Sequence, residues 1–314
     1  METNGRSTAT DAEIGAAVPS TVDADSTRRT VNGVELHVVT AGDRSDPLLV
    51  LLHGFPEYWY EWRSQIAPLV DAGYRVLVPD QRGYNRSEKP DGVRAYRTAE
   101  LARDIVALIA TEGRDAAHVV GHDWGGIVAW DLACRFPGAV DRLAVVNAPH
   151  PTAYRRQLLS NLEQLRRSWY VPCFQLPWLP EFACRYDEYR LLERALRETA
   201  PPGTFSETAL ARYRRAWSRD HALTAMLNWY RAAARYPPNP PIDRVAAPTL
   251  VVWGEDDTTL VPALAVDSAA FCAECRLEML RGVSHWVPHE EPDRLSGLLL
   301  EHFDAGSLPV ARSR

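Results

Sequence analysis

The residues best placed for chemistry gather around one carboxylate. Ala117-His-Val-Val-Gly-His-Asp-Trp-Gly-Gly126 is a short apolar run that ends in small-x-Asp-x-small and passes into a helix-like segment, Ile127 to Phe136. That is the form of a nucleophile elbow, a strand-to-helix turn so tight that the residues flanking its tip must be small. The tip is Asp123, where Ser or Cys is more usual. A glycine-flanked acid after an apolar run also reads as a helix N-cap. Partners for a nucleophile, further along the chain, decide between the two.

Two further polar sites follow predicted strands, where open α/β sheets put their ligands. One is the acidic turn Gly254-Glu-Asp-Asp257, and the other is Gly282-Val-Ser-His285-Trp286. The order nucleophile, acid, histidine is that of triads on the α/β-hydrolase fold. The acid has to reach an imidazole nitrogen, so that one tautomer is held and the imidazolium is stabilised. Asp257 is taken as that acid in preference to Glu255 and Asp256. Acids in turns are usually solvated and a lone histidine is usually structural. With nine histidines present, His285 counts only because it follows an acid turn and a late strand. His122 reads as packing in the elbow, and His53 as support for an oxyanion loop.

The elements that must hold these groups alternate. Val31-Asn-Gly-Val34 to Thr40 reads as a strand, with a second across the Ala41–Pro47 turn. Leu48–Leu52 is continuously apolar, as a strand buried on both faces should be. Tyr60 to Val70 has helical spacing and stops at Gly73; Tyr74–Val78 is a strand and Thr98–Ile109 an amphipathic helix. After the elbow, Leu143–Val146 is a strand that closes at Asn147-Ala-Pro-His-Pro151. This rhythm predicts an α/β fold with a mostly parallel, doubly wound sheet. From Thr152 to Tyr236 the rhythm breaks. Helices are expected there at Arg155–Trp169, Glu188–Glu198, Ser206–Trp217 and Leu223–Ala234, with Thr204-x-x-Glu207 resembling a capping box. Pro237–Pro241 reads as a stiff connector. Thr249–Trp253 then restores the strands, followed by a helix at Val261–Phe271, a strand at Arg276–Leu280 and a helix at Pro292–Phe303. The expected organisation is a disordered tail over residues 1–29, a core of 30–151 and 239–305, and an inserted all-helical cap over 152–238.

Bulk composition narrows the classes. The chain has 314 residues, 46% of them hydrophobic and 24% charged, as in an ordinary soluble globular protein. A formal net charge of -6 gives no support to nucleic-acid or anionic-membrane binding. No stretch reaches the ~18 consecutive apolar residues of a membrane span. Five cysteines (134, 173, 184, 272, 275) form no dense framework, so reduced thiols in a cytoplasm are expected. Cys272-x-x-Cys275 lacks the second pair that a structural zinc site needs.

His53-Gly-Phe-Pro-Glu57, Gly121-His-Asp-Trp-Gly-Gly126, Asn147-Ala-Pro-His-Pro151 and Gly282-Val-Ser-His-Trp286 together resemble the epoxide hydrolases of the α/β-hydrolase superfamily. The likeness runs from Val31 to Phe303. It implies a nucleophile at Asp123, a relay acid at Asp257, a histidine base at His285, and oxyanion-hole N–H groups at Phe55 and Trp124. The family's cap carries two tyrosines that hydrogen-bond the epoxide oxygen. Ser168-Trp-Tyr170-Val-Pro-Cys-Phe-Gln-Leu-Pro177 and Asn228-Trp-Tyr230-Arg231 are similar to the segments that bear them, which implies Tyr170 and Tyr230. Trp169, Phe174, Trp178 and Trp229 around them imply an apolar substrate pocket.

The implied chemistry suits these residue types. An epoxide is attacked at saturated carbon, and a carboxylate is ionised at neutral pH because Asp titrates near ~3.9. The departing alkoxide needs an acid, and phenols titrating near ~10 stay protonated until it forms. Water activated by His285 would then cleave the ester. The partners are a small epoxide and water, with no cofactor and no metal; whether the chain forms a homodimer is left open. Two rivals remain. A dehalogenase shares the Asp-Trp elbow, but haloalkane dehalogenases typically carry Asn where this chain has Phe55, and fluoroacetate dehalogenases Arg where it has Trp124. The other is a binding protein on the same fold without catalysis.

Overall fold

A computed structural model describes residues 14–15, 17–237 and 244–304. Eight strands, β1 (Ala24–Val31), β2 (Val34–Ala41), β3 (Leu48–Leu52), β4 (Arg75–Pro79), β5 (Ala117–His122), β6 (Val140–Val146), β7 (Thr249–Gly254) and β8 (Cys275–Leu280), form one sheet. Their order is β1-β2-β4-β3-β5-β6-β7-β8. β2 is antiparallel to β1 and β4, and every pairing from β4 to β8 is parallel. β3 and β7 are buried at every position, so both faces of the sheet are covered there. The helices that cover it include α1 (Arg63–Asp71), α2 (Thr98–Thr111) and α3 (Trp124–Arg135). The chain goes from β3 outward to β4 and then back across β3 to β5. With right-handed crossovers this reversal sends α1 to one face and α2 and α3 to the other.

Between β6 and β7 the described residues form helices only: α4 (Pro151–Ser160), α5 (Leu162–Arg167), α6 (Tyr170–Phe174), α7 (Leu179–Glu198), α8 (Glu207–Trp217) and α9 (Ala222–Arg235). The core closes with α10 (Ala263–Ala269), α11 (Val287–Glu290) and α12 (Pro292–Asp304). No described helix is long and apolar enough to cross a membrane.

The structure corrects several expectations. The tail expected over residues 1–29 is ordered along its second half, where Ala24–Val31 pairs with β2 through a turn at Asn32 and Gly33, both at positive φ. Val18 and Val22 are buried against the core. An edge strand facing solvent needs few apolar residues, which is why its Ser, Thr and Asp content concealed it. The expected helix Arg155–Trp169 is two helices. Asn161 breaks it, its side-chain oxygen accepting the N–H groups of Glu163 at 2.9 Å and Gln164 at 3.4 Å. The start of α8 is capped by Ser206, which accepts the Ala209 N–H, and Thr204 turns back to the Pro201 carbonyl. α7 is interrupted at Tyr186–Tyr189, where Asp187, Glu188 and Tyr189 have positive φ. Most of the Pro237–Pro241 connector lies outside the described residues.

Candidate active site

The elbow is as tight as its sequence demands. Asp123 sits at φ 47° and ψ -120° between β5 and α3, a strained conformation for a residue with a side chain. A Cβ on Gly121 would lie 2.3 Å from the Gly125 carbonyl oxygen, and one on Gly125 2.1 Å from that of Leu52. Both contacts are with backbone, so neither neighbour can yield. The turn lifts the Asp123 carboxylate out of the sheet with its side chain 20% exposed, open to a small molecule.

Loops at the ends of neighbouring strands converge on it. The Phe55 N–H, just past β3, donates to Asp123 Oδ1 at 2.8 Å. His285, after β8, presents Nε2 at 3.7 Å from Asp123 Oδ2. Its Nδ1 lies 2.7 Å from Oδ2 of Asp257, the acid after β7. Asp257 is buried, and its other oxygen accepts the N–H groups of Thr259 at 2.7 Å and Leu260 at 2.9 Å. Burial alone would raise the Asp257 pKa, but His285, Asn147 and those N–H groups hold it below the usual carboxylate value. For His285, burial pulls the imidazole down, yet the charge and hydrogen bond of Asp257 outweigh it and leave the pKa above 6.5.

The helical insertion supplies the opposite wall. The Tyr230 ring stands edge-on to Trp124 at 4.8 Å, Phe174 at 4.9 Å and Phe55 at 5.2 Å. Tyr170 lies 6.0 Å from Tyr230 and 5.6 Å from Phe174, centroid to centroid. Burial pushes both phenols well above their usual pKa, with the Asp123 charge adding to the shift in each. They remain proton donors at any physiological pH.

The four residues implied for substrate binding divide. Phe174 lines the space between the tyrosines. Trp229 is buried behind Trp124, its indole N–H donating to the Arg82 carbonyl at 3.0 Å. Trp169 and Trp178 turn outward, 68% and 72% exposed; Trp169 precedes the single-turn α6, and Trp178 caps the start of α7 at positive φ. His53 steadies the oxyanion loop, its Nδ1 donating to the Gly54 carbonyl at 3.0 Å and its Nε2 accepting the Gln81 N–H at 3.0 Å. His122 does more than pack, since its Nε2 lies 2.9 Å from the His285 carbonyl oxygen. Cys272 and Cys275 are free thiols. Among the described residues, the group able to hold a metal ion is Glu57, Glu61 and His122, buried beneath the oxyanion loop.

Known proteins resemble this chain in sequence and in fold. The alpha/beta hydrolase fold family matches residues 47–292. The AB hydrolase superfamily protein YfhM of Bacillus subtilis is 43% identical over 272 residues, 87% of this chain and 95% of that protein. Epoxide hydrolase 3 of Xenopus tropicalis is 35% identical over 274 residues, 85% of this chain and 74% of that protein. The crystal structure of the Bacillus megaterium epoxide hydrolase in complex with an inhibitor aligns with a TM-score of 0.80 at 28% identity, covering 88% of this chain and 100% of that one. The chain belongs to the epoxide hydrolases of the α/β-hydrolase superfamily.

Other residues of this epoxide hydrolase family member shape the site without having stood out in the sequence. Asn147, at positive φ after β6, donates to Asp257 Oδ2 at 2.8 Å and accepts the Gly254 N–H at 2.9 Å. A polar residue closing an apolar strand on the site's side of the sheet was the available signal. Arg167 of α5 donates to the Asp257 and Leu260 carbonyls, tying the insertion to the acid loop. Glu57 accepts from the Tyr213 hydroxyl and, at 2.8 Å, from His289, and these donors bring its pKa down to about 2 against the upward pull of burial.

Proposed function

We propose that this chain hydrolyses an epoxide to a vicinal diol through an ester on Asp123, with residues 152–238 acting as a cap over a core of 30–151 and 239–305. The observation that carries the reading is the pair of carboxylate oxygens on Asp123. One is held by the Phe55 N–H, the other faces His285, and the phenols of Tyr170 and Tyr230 lie close enough to feel the Asp123 charge.

In this reading Oδ2 attacks an epoxide carbon, the C–O bond breaks, and a tyrosine hydroxyl protonates the alkoxide. A water placed between His285 and the new ester loses its proton to Nε2 and adds to the aspartyl carbonyl carbon. Oδ1 takes up the negative charge opposite the Phe55 N–H, with the Trp124 N–H as the second donor in this reading; one such donor elsewhere contributes roughly 3–4 kcal/mol. Collapse releases the diol, its alkoxide taking the proton from His285 and leaving Asp123 as a carboxylic acid; that acid gives up its proton and the tyrosinate regains one, through solvent. A halide leaving group would call for N–H donors, whereas phenols that keep their protons favour an oxygen. The free thiols fit a cytoplasmic enzyme.

The test is diol formation from a panel of terminal and disubstituted epoxides, run beside halide release from haloalkanes. Wild type is expected to form diol and release no halide, and Asp123→Ala to form neither. Halide release alone would make the chain a dehalogenase, and activity persisting in D123A would move the nucleophile elsewhere.

A further inference from the structure

Beneath the oxyanion loop lies a group of buried acids and histidines outside the triad. Glu61 Oε2 accepts the Gly54 N–H at 2.8 Å, and Glu61 Oε1 stands 3.1 Å from His122 Nδ1. His122 Nε2 lies 2.9 Å from the His285 carbonyl oxygen. A carbonyl can only accept, so Nε2 carries a ring hydrogen, and with the ring in its neutral form Nδ1 is a lone pair. A bare ring nitrogen 3.1 Å from an ionised oxygen would be repelled, so one of the two holds a proton. Glu57 Oε1, Glu61 Oε1 and His122 Nδ1 are all buried, and beyond the 3.1 Å approach of the last two none of them makes a hydrogen bond of regular geometry. They lie within 4.8 Å of one another. Glu57 stays ionised, held by His289 and Tyr213. A second carboxylate beside it would set two like charges against each other out of water.

We propose that Glu61 is a positioning residue for ester hydrolysis. As a neutral carboxylic acid it clamps the Gly54 N–H with one oxygen and offers its proton to His122 with the other. The oxyanion loop is thereby locked to the backbone of the histidine base. Burial and the charges of Glu57 and Asp123 push the Glu61 pKa well above its ordinary range, in the same sense as the geometry. The other ionisable groups around this network are His285 and His289, with Arg63 against His289. The role rests on the epoxide-opening reading, because it acts on that reading's second step.

The test compares Glu61→Gln with Glu61→Leu. An amide reproduces both functions of a neutral acid, one oxygen for Gly54 and one donor for His122, whereas leucine has neither. E61Q should keep kcat within about threefold of wild type. In E61L a slack oxyanion loop slows hydrolysis but not alkylation. Its kcat and KM should fall together by about tenfold, with kcat/KM little changed, and the ester should accumulate as an intact-mass adduct. An E61Q variant as impaired as E61L would mean that a carboxylate is needed, and an E61L variant with wild-type kcat would mean that the clamp does nothing; either overturns the proposal. If E61L does not fold, E61Q alone decides. Infrared spectroscopy reads the proton without turnover: wild type at pH 7 should show a protonated-carboxyl carbonyl band that E61Q lacks, and a spectrum without it refutes the neutral acid. Absence of diol from every epoxide in wild type, with that band present, would instead count against the epoxide reading alone.

Discussion

At the scale of single residues, His285, the proposed base, is governed by one acid. Burial would leave His285 easier to deprotonate, and Asp257, 2.7 Å from Nδ1, reverses that. Only the neutral ring can take a proton from water, so hydrolysis is lost as pH falls through the raised pKa. The acid limb of the hydrolysis rate is therefore expected above pH 6.5. Asp257→Asn removes the charge and leaves burial to dominate, so the limb should move to lower pH. The plateau rate should drop by roughly 10²–10⁴, because the imidazolium formed in the step loses its counter-charge and the ring loses its fixed tautomer. Single-turnover decay of the ester across pH measures both effects. A limb that stays put in D257N would remove Asp257 from the relay.

At the scale of elements, the elbow is where sequence and backbone geometry constrain each other most. Gly125→Ala sets a methyl group 2.1 Å from the Leu52 carbonyl oxygen and 2.7 Å from that of His53. Both belong to β3 and the oxyanion loop that follows it, so relief must come from moving α3 away from them. The expected cost is about 1–3 kcal/mol, read as a lower urea midpoint with unchanged slope; an unaltered midpoint would show that the packing is looser than the distances say. The same tightness made this element legible only together with the acid and histidine further on, since small-x-Asp-x-small alone also reads as a helix N-cap. β3 and β7 were legible for a related reason: strands covered on both faces have no polar positions. β1 was not, because an edge strand can be polar throughout. The break at Asn161 was hidden inside an otherwise helical pattern. Glu57 lies in a loop and Glu61 in a short 3-10 turn (Trp59–Trp62) before α1, and the helical spacing read from Tyr60 did not tell a buried acid from a solvated one. Their burial is set by long-range neighbours such as His122, Tyr213 and His289, which no local window contains.

At the scale of the whole molecule, the nucleophile belongs to the sheet and the phenols to the helical insertion, so the reaction depends on how the two are held together. The contacts that hold them are directional. The Trp217 indole donates to the Pro56 carbonyl at 2.6 Å, that of Trp229 to the Arg82 carbonyl at 3.0 Å, and Arg219 to Asn85 Oδ1 at 2.8 Å. All three anchor in the oxyanion loop or the turn after β4, and the Trp229 contact fixes Tyr230 relative to Asp123 through α9. An assembly of this kind can attack the epoxide with the carboxylate, or hold the epoxide while water attacks it directly, and the two routes differ in where the oxygen comes from. With enzyme in excess over epoxide in heavy-oxygen water, attack by Asp123 transfers an unlabelled carboxylate oxygen to the diol and leaves the label in the Asp123 side chain. The first-turnover diol should therefore be unlabelled by mass spectrometry, and the peptide containing Asp123 heavier by one oxygen substitution. Repeated turnover should then bring the label into the diol as the labelled carboxylate is used. Labelled diol in the first turnover, with an unlabelled peptide, would mean that His285 drives water straight onto the epoxide and that Asp123 serves only to orient it.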